Sequence, residues 1–302
     1  HAALRRRRLA AGRRRRGAEL PQLLLELAVT VLQLLVLTGQ LPQLAFEPLV
    51  HPDVVYQAAF SPDGRLLVTA CADGKVRVYD AATGADTGFI NDYGDAVYCA
   101  EFSPDGSRIA YSGGSHRWSG SQDTTIRIWD LATGETKRLV GHAKEVSCVA
   151  WSPDGSLLVS CGWDGKIKVW DTSSWDELPP FEASPKQRLI RGVAFSPDGK
   201  HVLSGSRDNT VKLWDSASGE EIKQFKGHTF SVYSVCFSPD GCHILSGSWD
   251  HTVKMWSVQA GALEFSMESL DSRFSGVVFH PDGKSIIAGG SSKAVYVVRL
   301  EA

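Results

Sequence analysis

The fold is decided by a stretch that recurs along the chain and is most complete at residues 196–228: SPDGKHVLSGSRDNTVKLWDSASGEEIKQFKGH. It opens with a turn, because Pro197 fixes φ, Asp198 can hydrogen-bond to nearby backbone and Gly199 accepts a positive φ. Short segments in which apolar and polar residues alternate follow the turn, and this period is typical of strands with one buried face. The stretch therefore predicts three consecutive strands, with a further strand of the same kind before the turn.

The turn is repeated at nearly constant spacing, which makes the chain an array of similar units. SPDG occurs at 61–64, 103–106, 152–155, 196–199 and 238–241, and HPDG at 280–283. The intervals between these turns are 42, 49, 44, 42 and 42 residues. Six units of four short strands each are therefore predicted, and the fold class is all-β.

Two further signatures agree in register with the turn. The third strand of several repeats ends in Trp-Asp, as at Trp170-Asp171 and Trp214-Asp215, and the fourth closes on Gly-His, as at Gly227-His228. In these features the chain resembles the WD-repeat family, whose period of about 40–45 residues forms one blade of a β-propeller. The resemblance implies a propeller of about six four-stranded blades over residues 43–302. Seven blades, the more usual number in the family, is the alternative.

The sixth repeat stops after its third strand, at Leu300. Residues 43–47 precede His51 in the sequence just as the predicted fourth strand of the fourth repeat, residues 221–225, precedes His228. The resemblance implies that this N-terminal segment supplies the missing strand of the last blade, which removes an open sheet edge at the seam.

His, Ser and Asp accompany the Trp of some repeats, a combination that looks like a Ser-His-Asp catalytic triad. A triad occurs once per active site, whereas this set recurs from repeat to repeat. The resemblance implies instead a buried hydrogen-bond network within each blade, since buried polar groups need partners. The predicted network residues are His142, Ser160, Asp164 and Trp170 in the third repeat, and His228, Ser246, Asp250 and Trp256 in the fifth. No catalytic residue, metal or cofactor is expected.

The histidine is replaced in other repeats, by Tyr93 in the second, Lys186 in the fourth and Leu270 in the sixth. We expect the blade junctions there to be less stable than those of the third and fifth repeats.

Function in a propeller is a property of its faces rather than of the fold. The resemblance points to one face, formed by the residue just before the loop Asp and by residues near the start of the first strand. The predicted partner-binding residues are Tyr56, Tyr98, Trp163, Arg191, Arg207, Tyr233, Trp249 and Arg273. Tyr, Trp and Arg are favoured at binding hot spots. We expect a peptide or loop between Trp163 and Trp249; the alternative is that these side chains only fill the channel mouth or pair with neighbouring acids.

The function predicted on this basis is a non-catalytic interaction scaffold with protein or peptide partners and no small-molecule substrate. A substrate receptor of a ubiquitin ligase is the alternative, although the Trp-Asp-x-Arg motif of some such propellers is missing after Trp129, Trp170 and Trp214. An enzyme with a site in the channel would need a non-repeating polar cluster, which the sequence does not show.

Charge and cysteine content bear on partners and compartment. The formal net charge is −2, but eight of the 32 Lys and Arg lie in Arg5–Arg8 and Arg13–Arg16, so the remainder is acidic. An acidic body argues against nucleic-acid binding by the propeller. The six cysteines form no CxxC pair, which favours free thiols in the cytoplasm, with the nucleus as the alternative.

The first 42 residues are predicted to lie outside the propeller. Residues 1–19 are Arg-rich and are expected to be disordered, and residues 20–42 form an apolar, helical pattern. A membrane anchor is the less favoured alternative for this segment, because Glu26 is costly in lipid.

Overall fold

Each turn of the repeat is closed by side-chain hydrogen bonds that its sequence provides. In the fourth repeat, Ser196 Oγ donates to Asp198 Oδ1 at 2.6 Å, and the same oxygen accepts from the amide of Lys200 at 3.1 Å. The amide of Gly199 donates to the Ser196 carbonyl at 2.9 Å, with φ of 71° at the glycine. The turn reverses the chain, and the strands on either side pair antiparallel.

The computed structural model describes residues 49, 51–114, 123–179, 181, 189–292 and 295–300. The predicted Arg-rich tail (1–19), the apolar segment (20–42) and the predicted closing strand (43–47) lie outside the described residues. Among those described, none belongs to a helix long and apolar enough to cross a bilayer.

The described residues form six antiparallel sheets, one for each repeat, with the strands in sequence order. The first sheet contains β1 (Val55–Phe60), β2 (Leu66–Cys71), β3 (Lys75–Asp80) and β4 (Asp86–Asp92). The second contains β5 (Ala96–Phe102), β6 (Arg108–Gly114), β7 (Ile126–Asp130) and β8 (Thr136–Leu139), and the third β9 (Val146–Trp151), β10 (Leu157–Gly162) and β11 (Ile167–Asp171). The fourth contains β12 (Ile190–Phe195), β13 (His201–Ser206), β14 (Thr210–Asp215) and β15 (Glu221–Lys226). The fifth contains β16 (Val232–Phe237), β17 (His243–Ser248), β18 (Thr252–Ser257) and β19 (Leu263–Glu268), and the sixth β20 (Phe274–Phe279), β21 (Ser285–Gly290) and β22 (Val295–Arg299).

The prediction of an all-β fold with six repeated sheets is confirmed. Four sheets have the predicted four strands, and the third and sixth have three among the described residues. In the third sheet a single antiparallel bridge between Trp170 and Glu177 stands where the fourth strand was expected. Pro179 follows shortly after the bridge, and since proline has no amide hydrogen, it cannot donate to the ladder at that position.

The core lies between neighbouring sheets. The first strands of consecutive sheets pack against one another, β1 on β5, β5 on β9, β9 on β12, β12 on β16 and β16 on β20. Between the third and fourth sheets the buried cluster includes Val159, Ile167, Ile190 and Trp214. Among the described strands, β20 makes no comparable contact with β1. The first strands therefore lie next to one another in sequence order. Residues at equivalent positions of these strands become neighbours, and the candidate site is formed at such positions.

Candidate partner-binding site

The His/Ser/Asp sets form hydrogen-bond chains inside two of the sheets. In the fifth sheet, His228 Nε2 lies 2.7 Å from Ser246 Oγ and its Nδ1 lies 2.8 Å from Asp250 Oδ2. The indole of Trp256 donates to Ser246 Oγ at 2.8 Å. In the third sheet the corresponding distances from His142 to its serine and aspartate are 2.8 and 2.9 Å.

The same geometry makes these sets unsuitable for catalysis. Ser160 and Ser246 are 0% exposed, so no substrate carbonyl can reach either hydroxyl. Each serine oxygen also already accepts the Trp indole hydrogen. The arrangement is satisfied when the serine donates to Nε2 and the histidine donates from Nδ1 to the aspartate. It therefore joins the Trp strand to the Asp loop and leaves no reactive group free.

The aspartates of these sets are held in the charged form. Burial opposes the charge of Asp250, but hydrogen bonds led by that from His228 lower its pKa from the ordinary value. For Asp164, burial is again the largest influence and is outweighed by His142, so its pKa is also lowered. The amides of Ala143 and Thr229 add a further hydrogen bond to each carboxylate.

The first two sheets use arginine instead, which the sequence analysis missed. His51 contacts Thr69 Oγ1 at 2.9 Å, but Asp73 pairs with Arg77 at 2.5 Å rather than with that histidine. In the second sheet, Arg127 pairs with the loop Asp123 at 2.8 Å and lies 4.2 Å from the ring centroid of Tyr93. The signal that could have shown this is an Asp followed four residues later by Arg in both repeats.

The predicted partner-binding residues on the first strands all lie at a β-bulge that recurs in every sheet. In every sheet the pairing of the first and second strands shifts by one residue near its start, and one residue is left out of the ladder. A β-bulge of this kind redirects a side chain away from the regular alternation. The residues at the bulge are Tyr56, Tyr98, Ser147, Arg191, Tyr233 and Ser275.

The residue before each loop Asp is held beside the bulge by a backbone hydrogen bond. The amide of Trp163 donates to the carbonyl of Glu145 at 2.9 Å, and that of Trp249 donates to Ser231 at 3.1 Å. The amide of Arg207 donates to Leu189 at 2.9 Å in the same way. Each of these bonds is accepted by the residue two positions before the bulge. The residues at the bulges and the residues before the loop aspartates therefore lie at the same end of the sheets.

Side chains from these positions stack on one another from sheet to sheet, and we call the resulting row the aromatic arc. Its members, in order, are Tyr56, Tyr98, Trp163, Arg191, Tyr233, Trp249 and Arg273. Tyr56 meets Tyr98 edge-on at 5.2 Å, and Tyr98 is parallel to Trp163 at 6.3 Å.

The second half of the arc alternates cations and rings. The guanidinium of Arg191 lies 4.9 Å from the ring centroids of both Trp163 and Tyr233. Tyr233 stacks on Trp249 at 4.2 Å with an interplanar angle of 5°, and Arg273 lies 5.4 Å from the Trp249 ring. The structure thus brings together seven of the eight predicted residues. Arg207 is exposed beside the arc, without a ring contact.

The charges along the arc are uneven. Burial, together with the charges of Tyr56 and Glu145, raises the pKa of Tyr98 to about 12. Burial also raises the pKa of Tyr233, but there the guanidinium groups of Arg191, Arg207 and Arg273 act in the opposite direction. In the part of the chain that the structure describes, no carboxylate lies within 4.0 Å of these three groups. Arg191 and Arg273 are therefore stacked on rings rather than neutralised by described ion pairs.

No group of three or more His, Cys, Asp or Glu is arranged to hold a metal ion within the described ranges. The groups that the arc offers are aromatic faces, hydroxyls and guanidinium donors.

Comparison with known proteins agrees with this geometry. A family model described as "WD domain, G-beta repeat" matches residues 46–80, 87–130, 134–171, 179–215 and 219–257. WD repeat-containing protein SL1-17 of Schistosoma mansoni is 38% identical over 120 residues, which are 40% of this chain and 37% of that protein. Protein hir-1 of Neurospora crassa is 35% identical over 147 residues, 41% of this chain and 14% of that protein. WD repeat and SOCS box-containing protein 1 of Xenopus tropicalis is 33% identical over 118 residues, 38% of this chain and 26% of that protein.

This chain therefore spans well under half the length of the curated relatives that it matches. The family model, in contrast, accounts for more than half of the chain, and its five matches coincide with the first five repeats. The unmatched sixth repeat is the one that ends in Val298-Arg299 instead of Trp-Asp. Family membership implies a protein-interaction scaffold. The chain belongs to the WD-repeat family.

Proposed function

We propose that this chain is a non-catalytic scaffold that binds a peptide or a loop of a protein partner across the aromatic arc. The observation that carries the proposal is the continuous stack itself, because it presents Tyr, Trp and Arg side chains from all six sheets at one end of the structure. These are the residue types that dominate binding energy at interfaces.

The stack also supports binding on energetic grounds. Tyr98, Trp163, Tyr233 and Trp249 are half-buried, so each keeps a face or edge for a partner while its rotamer is fixed by neighbours. A side chain that is already ordered loses less conformational entropy when a partner binds, a saving of about 0.5–1.5 kcal/mol per immobilised side chain. The aromatic arc is in this sense organised before the partner arrives.

The experiment compares partner capture by the wild-type chain and by the combined variant Trp163→Ala, Arg207→Ala, Trp249→Ala, scored by mass spectrometry. We expect the variant to lose the partners and to keep its fold, checked by circular dichroism. A matched control replaces exposed residues of fourth strands, Phe89, Arg138 and Ile222, by Ala. Undiminished capture by the arc variant would contradict the proposal.

The second candidate function is a substrate receptor of a ubiquitin ligase. Two relatives favour it, because their names join WD repeats to a SOCS box or to a U-box in one protein. The arc would then bind the substrate, and ligase components would contact the chain elsewhere. Co-purification of ligase components with both wild type and the arc variant distinguishes this role from a simple scaffold.

The predicted compartment, the cytoplasm with the nucleus as the alternative, stays a prediction. Fluorescence microscopy of a tagged chain is the direct measurement.

A further inference from the structure

The half of the aromatic arc formed by the fourth, fifth and sixth sheets carries the guanidinium groups of Arg191 and Arg273, and Arg207 adds a third beside it. None of the three has a described carboxylate partner. Asp208 and Asp250, which follow Arg207 and Trp249 in sequence, are turned into their own loops. Asp208 Oδ1 accepts from the amide and hydroxyl of Thr210 at 3.0 and 2.6 Å. Asp250 is bound to His228. The positive charge of this half of the arc is therefore not compensated locally.

Two of the three cations are fixed in place by rings. Arg191 is held between Trp163 and Tyr233, and the Arg273 guanidinium lies 5.4 Å from the ring centroid of Trp249. The Nε atom of Arg191 is buried and has no hydrogen-bond partner within the described chain. A guanidinium held by stacking keeps the donors on its edge in a fixed plane, which is the geometry that binds carboxylate or phosphate oxygens through two parallel hydrogen bonds.

The stacking order also fixes the spacing of the cations. Tyr233 and Trp249 lie between Arg191 and Arg273, and the successive separations are 4.9, 4.2 and 5.4 Å. These separations set an upper limit on the distance between the two guanidinium groups, close to the reach of four residues in an extended strand at about 3.3 Å per residue. A chain of four groups in contact leaves room for two oxyanions, one at each end of the stack.

We propose that this half of the arc recognises an extended acidic peptide with two anionic side chains an even number of residues apart, two or four. One anion binds Arg191 together with Arg207, and the other binds Arg273. Even spacing is required because successive side chains of an extended chain point to opposite sides, so only residues two or four apart face the arc together. When the two anions are four residues apart, the residue midway between them points to the same side and lies over Tyr233 and Trp249. This inference rests on the proposed function and names the class of partner.

A peptide is favoured over a nucleic acid by the charge of the rest of the molecule. Nucleic-acid binding depends on many phosphate contacts along a basic stripe. Here three arginines lie at one end of an acidic body, and the other half of the arc has Glu145 and Asp95 beside Tyr98. A local patch of this size fits two anionic side chains rather than a polyanion.

The test uses fluorescein-labelled peptides of eleven residues in a Ser/Thr/Gly host, with two Glu placed two, three or four residues apart. All three have the same composition and net charge, so the three-residue spacing is the matched control. We expect the two- or four-residue peptide to bind the full chain about 10-fold more tightly than the three-residue peptide in fluorescence anisotropy, since one charged hydrogen-bonding contact is lost. A second series with two phosphoserines in place of Glu shows whether carboxylate or phosphate is the preferred source of the oxyanions.

Variants locate the effect on the molecule. Arg207→Gln and Arg273→Gln should each abolish the difference between the spacings, whereas Arg65→Gln with Arg138→Gln, exposed on other parts of the sheets, should preserve it. Equal affinity for all spacings, or no binding by any peptide at millimolar concentration, overturns the inference, as does tighter binding of a single-stranded oligonucleotide through the same arginines. The capture experiment with the Trp163/Arg207/Trp249 variant is independent of these peptides, so the proposed function can stand when the acidic-peptide inference fails.

Discussion

Replacement of Asp250 by Ala tests whether the His/Ser/Asp sets stabilise individual sheets. The carboxylate accepts hydrogen bonds from His228 at 2.8 Å, from the amide of Thr229 at 2.9 Å, and from the amide and hydroxyl of Thr252 at 2.9 and 2.6 Å. The side chains of His228 and Asp250 are 1% and 3% exposed. Alanine would leave the imidazole buried without its acceptor.

The expected loss of unfolding free energy is about 3–5 kcal/mol, because four hydrogen bonds to a charged acceptor are removed and the buried imidazole of His228 loses its partner. At about 2–4 °C per kcal/mol for a domain of roughly 150–250 residues, the unfolding midpoint should fall by about 10 °C. Intrinsic tryptophan fluorescence during heating is a suitable assay, because Trp256 donates to the serine of the same set.

Asp208→Ala provides the matched control. Asp208 occupies the same loop position in the fourth sheet, but the described hydrogen bonds to its carboxylate come only from Thr210. Two local hydrogen bonds to an aspartate on a surface loop correspond to a loss of about 1–3 kcal/mol. If the Asp208 and Asp250 variants lost equal stability, the histidine would contribute nothing and the reasoning would be refuted.

Three further predictions follow from the same contacts. The pKa of Asp250 is lowered in the folded state, so its contribution to stability is present above the ordinary aspartate pKa of about 3.9 and is lost as pH falls through the folded value. In an acid titration, the unfolding free energy of Asp250→Asn should therefore change less with pH than that of the wild type. Arg127→Met should lower the unfolding free energy by about 3 kcal/mol in a urea titration, because Asp123 and the Tyr93 carbonyl lose their donor; a change below about 0.5 kcal/mol would mean that the arginine does not replace the histidine of other repeats. Trp249→Ala should weaken partner binding about 10-fold or more by calorimetry with little change in the unfolding midpoint, and a large loss of stability would instead assign Trp249 to the core.

The sequence was sufficient for the repeating part of the fold and for bringing most of the candidate residues together. A turn motif at constant spacing implies repeated strands, and the resemblance to the WD-repeat family implied that Tyr98 and Trp249 lie on one face. The stacking order could not be predicted, since it depends on how neighbouring sheets are rotated and on rotamers that contacts such as that between Arg191 and Tyr233 select. Alternation of apolar and polar residues also gives no sign of a one-residue register shift, so the bulges were not foreseen.

The details that departed from prediction have local physical causes. Among the described residues the third sheet has a bridge rather than a fourth strand, and Pro179 beside it has no amide hydrogen to donate to the ladder. The loop aspartates of the first two sheets pair with Arg77 and Arg127, which lie four residues later on the third strand; in the first sheet His51 bonds Thr69 instead, and in the second Tyr93 replaces the histidine. Both effects are visible in the sequence only when each repeat is compared with the others position by position.

The bulge at the start of each first strand makes the side chain at that position independent of the strand pairing that holds the sheet together. The residue at the bulge takes no part in the ladder, so its identity is free to change while the strands beside it keep their pairing. In this chain the position is Tyr in three sheets, Ser in two and Arg in one, on six closely similar frameworks. The six positions together form a surface whose residues can be substituted one at a time, by evolution or by design, while the strand pairing of the sheets is kept.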